Sequence, residues 1–175
     1  MLTGLFHKGE KMSAVFRVIF VSAFLSILFG AASCQNEMPA GRQSDADIEK
    51  AILKVQSAMQ KAAEKLDADA LYKYVLDTDK GAIIENGRLF LTREDALEST
   101  KRGLKGLKAL SYSYSRKYIT VMSPTSTLWV GEGTTTATIA DGRQITSPFA
   151  ESIVFVNRGG KWRVLHAHRS APLRP

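Results

Sequence analysis

The sequence predicts an α+β domain in which three N-terminal helices pack on a strongly curved antiparallel sheet. Apolar residues recur at helical spacing directly after residue 44, which indicates an amphipathic helix. Four long segments rich in Tyr, Thr and Val follow from residue 109 onward, with turn signals between them. Because the helical patterns precede these segments instead of alternating with them, the order is typical of an α+β protein. Long antiparallel strands twist, so we expect a curled sheet with a cone-shaped hollow under the helices.

The bulk composition is that of one globular domain. The chain has 175 residues, of which 45% are hydrophobic and 23% are charged. This length is sufficient for one hydrophobic core, and the composition argues against disorder. The net charge is +7, but the basic residues are scattered among acids and form no stripe with interleaved aromatic residues. We therefore expect no nucleic-acid partner.

Two of the predicted helices lie at the start of the domain. Ser44 to Asp47 fits a capping box, which marks the beginning of a helix. A single apolar stripe at spacings of 4, 3, 4, 3 and 4 residues follows, formed by Ile48, Ile52, Val55, Met59, Ala62 and Leu66. Asp67 is expected to cap a second, shorter helix from Ala68 to Leu76.

A hairpin and a third helix come next. Asn86-Gly87 separates two short apolar segments and suits a type I′ turn, which requires two positive φ angles. Thr92 to Asp95 is a second capping box, and it opens a helix with its apolar face at Leu97, Leu104 and Leu107. We expect this helix to fray at its glycines.

The remainder of the domain is predicted to be strand. Ser123-Pro124, Asp141-Gly142 and Gly159-Gly160 mark the turns, so successive strands should pair antiparallel in sequence order. The predicted strands are Ala109–Met122, Thr125–Ala140, Arg143–Asn157 and Lys161–Ser170.

Residues 1–33 are predicted to be a signal peptide and not part of the fold. Lys8, Lys11 and Arg17 precede an apolar stretch from Val18 to Ala32. Its fifteen residues are too few for a helix that crosses about 30 Å of hydrocarbon. A basic start, a short apolar centre and small residues at the end are typical of an export signal.

The segment that ends at Cys34 resembles a bacterial lipobox, whose cysteine becomes the lipidated first residue of the mature protein. The resemblance implies a membrane anchor at Cys34 and a tether within residues 34–44, and Gln35 favours the outer over the inner membrane. The alternative is ordinary cleavage near Ala32 or Ser33, which would give a soluble periplasmic or secreted protein. No internal disulfide can form, since the chain has 1 cysteine.

The order of elements and the C-terminal segment resemble the nuclear transport factor 2-like (SnoaL-like) superfamily over residues 45–172. The segment from Gly160 to Pro172 contains Gly-Lys-Trp and His-x-His, and it is most similar to the association domain of calcium/calmodulin-dependent kinase II. The resemblance implies a conical fold, a homodimer and no particular activity, because this fold hosts isomerases, cyclases, dehydratases and non-enzymatic binders. No phosphate-binding motif occurs, and we expect no cofactor.

Residue-by-residue comparison limits what the resemblance implies. Ketosteroid isomerase chemistry needs a tyrosine and an acidic base, and the corresponding positions hold Ala62 and Asn86, with Glu85 one residue away. We therefore do not expect that chemistry. The kinase association domain holds a small carboxylate with arginines, one of which matches Arg169, whereas another matches Ile153.

The last strand carries three candidate site residues. His166 and His168 are two residues apart and share a face, and Arg169 lies on the opposite face. The histidines are either hydrogen-bonded in a core or interface or contact a ligand, with His168 a candidate acid or base near neutral pH. Glu151 would be the only obvious third metal ligand and no cysteine lies nearby, so we expect no metal site.

Glu151 lies in a largely apolar predicted strand, Phe149–Phe155. A carboxylate there is either paired with a cation, for which Arg169 is the candidate, or functional as a base whose pKa is raised by desolvation. Glu151 and Arg169 are therefore candidate ligand contacts. Tyr72 and Trp129 are further candidates, as stacking residues or as part of the core.

These observations leave three hypotheses for function. The first is an exported lipoprotein whose conical hollow binds a small, partly apolar and potentially anionic molecule without turnover. The second is a SnoaL-like enzyme, an isomerase, dehydratase or hydrolase that uses Glu151 or a histidine as base. The third is a structural module in which the outer face of the sheet forms a homodimer.

Overall fold

The computed structural model describes residues 43–79 and 81–172. The predicted signal peptide, Cys34 and nearly all of the tether lie outside the described residues. Within the described part of the chain, no helix has the length and apolarity that crossing a membrane requires.

Three helices form as the capping signals predict. They are α1 (Asp45–Glu64), α2 (Ala68–Tyr72) and α3 (Arg93–Leu104). The hydroxyl oxygen of Ser44 accepts from the amide of Asp47 at 3.2 Å, and that of Thr92 accepts from the amide of Asp95 at 3.1 Å. Both predicted N-caps are therefore present, and each capping hydroxyl also donates to the carboxylate of the same aspartate at 2.7 Å.

Helix α2 ends four residues before its predicted end at Leu76. The chain instead turns towards the last strand, where the amide of Leu76 donates to the carbonyl of Val164 and the amide of Val164 donates to the carbonyl of Tyr74, both at 2.8 Å. Pairing with a strand therefore replaces the last turn of this helix.

The sheet has six strands in the order β2-β1-β6-β5-β4-β3. Neighbours are antiparallel except β1 and β6, which run parallel. This arrangement places the hairpin of β1 and β2 beside the last strand. The strands are β1 (Ala82–Glu85), β2 (Arg88–Phe90), β3 (Leu107–Ser123), β4 (Ser126–Ile139), β5 (Gln144–Arg158) and β6 (Lys161–Ser170).

One face of the sheet, here called the inner face, carries Trp129, Ile153 and Val164 and packs against α1. The opposite face is called the outer face. Helix α1 contributes Ile48 and Ile52 to this core, both almost completely buried. Bulges interrupt β3 in three places and the pairing of β5 with β6 once, and bulges bend strands and increase their twist. The helices and the bent sheet form the predicted cone-shaped α+β fold.

Candidate functional site

A cavity of about 460 Å³ lies between the helices and the inner face of the sheet. Its walls are largely apolar, with Met59, Leu71, Val75, Ile83, Leu104 and Leu110 among the lining residues. The charged side chains that line it are Glu85, Glu151 and Arg169. A partly apolar hollow with a few polar groups is the usual form of a small-molecule site.

Glu151 and Arg169 form a buried ion pair on the inner face. They are directly opposite each other on β5 and β6, so their side chains share a face. Nη2 of Arg169 donates to Oε2 of Glu151 at 2.7 Å, and Nε donates to the same oxygen at 3.1 Å. The Glu151 side chain is 6% exposed and that of Arg169 is 29% exposed. Of the two alternatives given for Glu151, pairing with a cation or action as a base, the geometry supports pairing with Arg169.

Tyr114 completes the hydrogen bonding of Glu151. Its hydroxyl donates to Oε1 of Glu151 at 2.5 Å. Burial, together with the Glu151 charge and this hydrogen bond, raises the pKa of Tyr114 well above its usual range. Gly131 leaves the room that the tyrosine ring needs, since a Cβ there would lie 3.0 Å from Cε1 of Tyr114.

Arg169 is also held by aromatic side chains. Its guanidinium carbon lies 4.9 Å from the ring centroid of Tyr112 and 4.9 Å from that of Phe149, and Nη1 donates to the Tyr112 hydroxyl at 3.1 Å. Burial alone would lower the pKa of Arg169, but the Glu151 charge and the hydrogen bonds to Glu151 and Tyr112 raise it above its usual range. Arg169 is thus a fixed cation whose charge is balanced by its neighbour.

A second polar group of the cavity lies at Glu85 and Tyr72. Glu85 is the register partner of Arg169 on the other side of β6, so a carboxylate flanks the arginine on each side. The Tyr72 hydroxyl is hydrogen-bonded to that of Thr100 at 2.9 Å. Burial, partly offset by the Thr100 hydrogen bond, raises the pKa of Tyr72 to about 12, and the Glu85 charge contributes to the increase.

The two histidines lie on the outer face, opposite Arg169. Val164 and His166 pair with the successive residues Phe155 and Val154, so Leu165 forms a bulge. Side chains along β6 alternate between the two faces of the sheet, starting with the buried Trp162 on the inner face. The extra residue in the bulge shifts this alternation by one, so Arg169 comes to the inner face. His168 is exposed and borders the cavity as the residue before Arg169, although its side chain is on the outer face, whereas His166 does not border the cavity.

The remaining candidates are separated by the structure. Tyr72 lines the cavity. Trp129 is 0% exposed in the core and is not among the lining residues, and its indole nitrogen has no hydrogen-bond partner among the described residues. In the described part of the chain, no three His, Cys, Asp or Glu side chains come together in a way that could hold a metal ion.

Sequence reasoning missed Tyr112 and Tyr114 as site residues. Both belong to the pattern Leu110-x-Tyr112-x-Tyr114 on β3, and all three residues line the cavity. The spacing of two residues between Leu110, Tyr112 and Tyr114 was the available signal, because alternate residues of a strand share one face. The pattern alone does not indicate which face is the inner one.

The arrangement favours binding over proton transfer at Glu151. Both carboxylate oxygens already accept hydrogen bonds from Tyr114 and Arg169, so the carboxylate is engaged within the cavity wall. The structure does not bring the histidines together with Glu151, since His168 pairs with Ser152 and faces the other way.

The sequence matches the family model of the SnoaL-like domain over residues 52–174. No curated protein matches it. Among solved structures, a nuclear transport factor 2-like superfamily protein from Salmonella enterica serovar Typhimurium is 15% identical with a TM-score of 0.67, over 75% of this chain and 95% of that one. A type 2 hexachlorocyclohexane dehydrochlorinase is 14% identical with a TM-score of 0.62, over 73% and 87%. At these identities, the likeness shows the fold alone.

An uncharacterised protein with a cystatin-like fold from Caulobacter vibrioides is 19% identical with a TM-score of 0.60, over 71% of this chain and 89% of that chain. The fold of these proteins agrees with the family assignment, which rests on the match over residues 52–174. Since that match spans more than half of the sequence, the chain belongs to the SnoaL-like domain family, and its fold is nuclear transport factor 2-like.

Proposed function

We propose that this SnoaL-like domain binds a small, partly apolar molecule in its cavity and releases it chemically unchanged. The observation that carries the proposal is the walled cavity of about 460 Å³, a volume in the range of small-molecule sites. Its apolar lining supplies the binding free energy through burial of apolar surface. The proposed lack of turnover rests on Glu151, whose two carboxylate oxygens already accept hydrogen bonds from Tyr114 and Arg169.

The structure weakens the sequence-based expectation that Arg169 binds a negatively charged ligand. An isolated arginine in an apolar hollow would attract an anion, but Glu151 balances this charge at 2.7 Å. The ligand's polar group is therefore not required to be anionic.

Export and attachment to a membrane through a lipid on Cys34 are part of the proposal and rest on the sequence. The full chain and its Cys34→Ser variant, expressed in a bacterium, test this part. Wild type should sediment with the outer membrane and take up labelled palmitate, and the variant should do neither. Wild type found only in the soluble periplasmic fraction would support ordinary cleavage instead.

The binding part is tested in the predicted mature chain, residues 34–175 with Cys34→Ser, so that neither a lipid, the apolar signal segment nor detergent competes. The neutral dye phenylnaphthylamine, which fluoresces in apolar surroundings, serves as reporter. Gly103 lines the cavity on α3, and a Cβ added there would meet no neighbouring atom within 4 Å, so Gly103→Phe can enter the hollow without a clash at the backbone. The matched control is Gly103→Ala.

We expect saturable dye binding to the parent and to Gly103→Ala, and a loss of at least about ten-fold in affinity for Gly103→Phe. Equal binding by all three proteins would show that the dye does not occupy the cavity and would refute the proposal. Extraction of the freshly purified parent followed by mass spectrometry should recover a bound compound. Conversion of that compound during incubation with the protein would contradict the non-catalytic part.

A further inference from the structure

The cavity and the whole chain have opposite charges. The chain carries +7, whereas the cavity lining contains two carboxylates, Glu85 and Glu151, and one guanidinium, Arg169. A partly enclosed, largely apolar hollow weakens charge screening, so the local groups decide which ligand charge is favoured there. The basic surface is therefore a poor guide to the ligand.

Glu85 is the group that leaves the cavity with negative charge. Its neighbours on the adjacent strands are both arginines, and both are engaged elsewhere. Arg169 is bound to Glu151, and the Arg88 guanidinium carbon lies 5.5 Å from the ring centroid of Phe90. Within residues 43–79 and 81–172, no side chain forms an ion pair or hydrogen bond with the Glu85 carboxylate.

The hydroxyl groups of Tyr72 and Thr100 add an acceptor at this end of the cavity, and the nearby Arg93 is held by the backbone, where its Nε donates to the carbonyl of Tyr72 at 3.0 Å. The Thr100 hydroxyl donates to the carbonyl of Ala96 at 3.0 Å, so in its hydrogen bond with Tyr72 it is the tyrosine that donates. The Tyr72 oxygen keeps its lone pairs, and its pKa of about 12 keeps it protonated at neutral pH. A ligand at this end of the cavity thus meets a carboxylate and a phenol oxygen that both accept hydrogen bonds.

We propose that the cavity selects a cationic amine, an ammonium group on an apolar body, with its N–H groups donating to Glu85 and to the Tyr72 oxygen. The inference deepens the proposed function and rests on it. An ammonium group supplies up to three donors and a positive charge, and Glu85 has no ion-pair partner in the described part of the chain. The apolar body would contact Leu71, Val75 and Leu104, which line the same cavity. A carboxylate ligand would instead be repelled by Glu85.

Three matched compounds test the charge preference: phenylbutylamine, phenylbutanol and phenylbutyrate. They share one apolar body and differ in a cationic, neutral or anionic end. Their affinities are measured by displacement of phenylnaphthylamine and by calorimetry, in the predicted mature chain, residues 34–175 with Cys34→Ser. We expect the amine to bind at least about ten-fold more tightly than the alcohol, and the carboxylate to bind most weakly.

The assignment to Glu85 is tested by Glu85→Gln, which keeps the shape and removes the charge. Affinity for the amine should fall about ten-fold or more, while that for the alcohol stays within about two-fold. Glu49→Gln is the control, because Glu49 is an exposed acid on α1 and its replacement makes the same change in net charge.

The outcomes separate this inference from the proposed function. Tightest binding by phenylbutyrate, or an amine affinity that is equal in Glu85→Gln and Glu49→Gln, would overturn the amine inference and leave cavity binding intact. Failure of all three compounds to displace the dye, in a protein where Gly103→Phe also leaves dye binding unchanged, would refute the cavity proposal itself. Unchanged circular dichroism of each variant excludes unfolding as the cause.

Discussion

Replacing Arg169 with Met should destabilise the domain more than replacing Glu151 with Gln. Removing one partner of a buried ion pair costs about 3–5 kcal/mol, because the other charge stays buried without compensation. In the parent, the Glu151 side chain is 6% exposed, and Arg169→Met leaves it the Tyr114 hydroxyl as a hydrogen-bond donor. After Glu151→Gln, Arg169 is 29% exposed and still reaches the amide oxygen and water. We expect losses of about 3 kcal/mol and about 1–2 kcal/mol respectively.

Urea unfolding measures these losses. Trp129 and Trp162 are both buried, so their fluorescence reports the loss of the core. The double variant should cost about 1–2 kcal/mol less than the two single losses together, since the second substitution removes a charge that the first left unpaired. Additive losses, within about 0.5 kcal/mol, would show that the two side chains do not stabilise each other and would refute the reasoning.

Three other predictions concern the rest of the fold. Gly133→Ala should cost about 3 kcal/mol in urea unfolding, because its Cβ would lie 2.1 Å from the carbonyl oxygen of Ser113, whereas Gly103→Ala should stabilise by up to about 1 kcal/mol. Because the pKa of Tyr72 is raised to about 12, the folded protein keeps a proton that the unfolded chain loses above pH 10. The free energy of unfolding should therefore decrease from pH 10 towards pH 12, and this decrease should be smaller in Tyr72→Phe. If the outer face forms the proposed homodimer, Val130→Arg, at a position 39% exposed on that face, should give a monomer in light scattering; an unchanged mass would place any dimer elsewhere.

The local elements of the fold follow closely from the sequence. Ser44 and Thr92 cap the predicted helices, and Asn86-Gly87 forms the predicted turn with φ angles of 52° and 73°. These features depend on a few adjacent residues, so they can be predicted from the local sequence. The parallel pairing of β1 with β6 depends on residues about 80 positions apart in the chain, and no local pattern specifies it.

The candidate site was predictable in part. An acid in an apolar strand and an arginine on the next strand indicated the pair of Glu151 and Arg169, and the structure has this pair. The face of the last strand was not predictable, because one bulged residue, Leu165, exchanges the two faces. That Glu85 has no ion-pair partner among the described residues depends on where Arg88 and Arg169 point, and side-chain directions of that kind arise only from packing.

The charge balance of the cavity also decides how an arginine variant must be interpreted. Arg169→Met removes the positive charge and leaves Glu85 and Glu151, so any anion should bind more weakly even if no ligand ever touches the arginine. Glu85→Gln changes the charge in the opposite direction and leaves the ion pair intact. If the sum of charges governs selectivity, phenylbutylamine should bind most tightly to Arg169→Met, less tightly to the parent and least to Glu85→Gln. If instead Arg169 holds the ligand directly, phenylbutyrate should lose affinity in Arg169→Met alone and bind equally well to Glu85→Gln and the parent. Calorimetry of the two variants with these two compounds distinguishes the cases, because only the first produces opposite shifts for the amine.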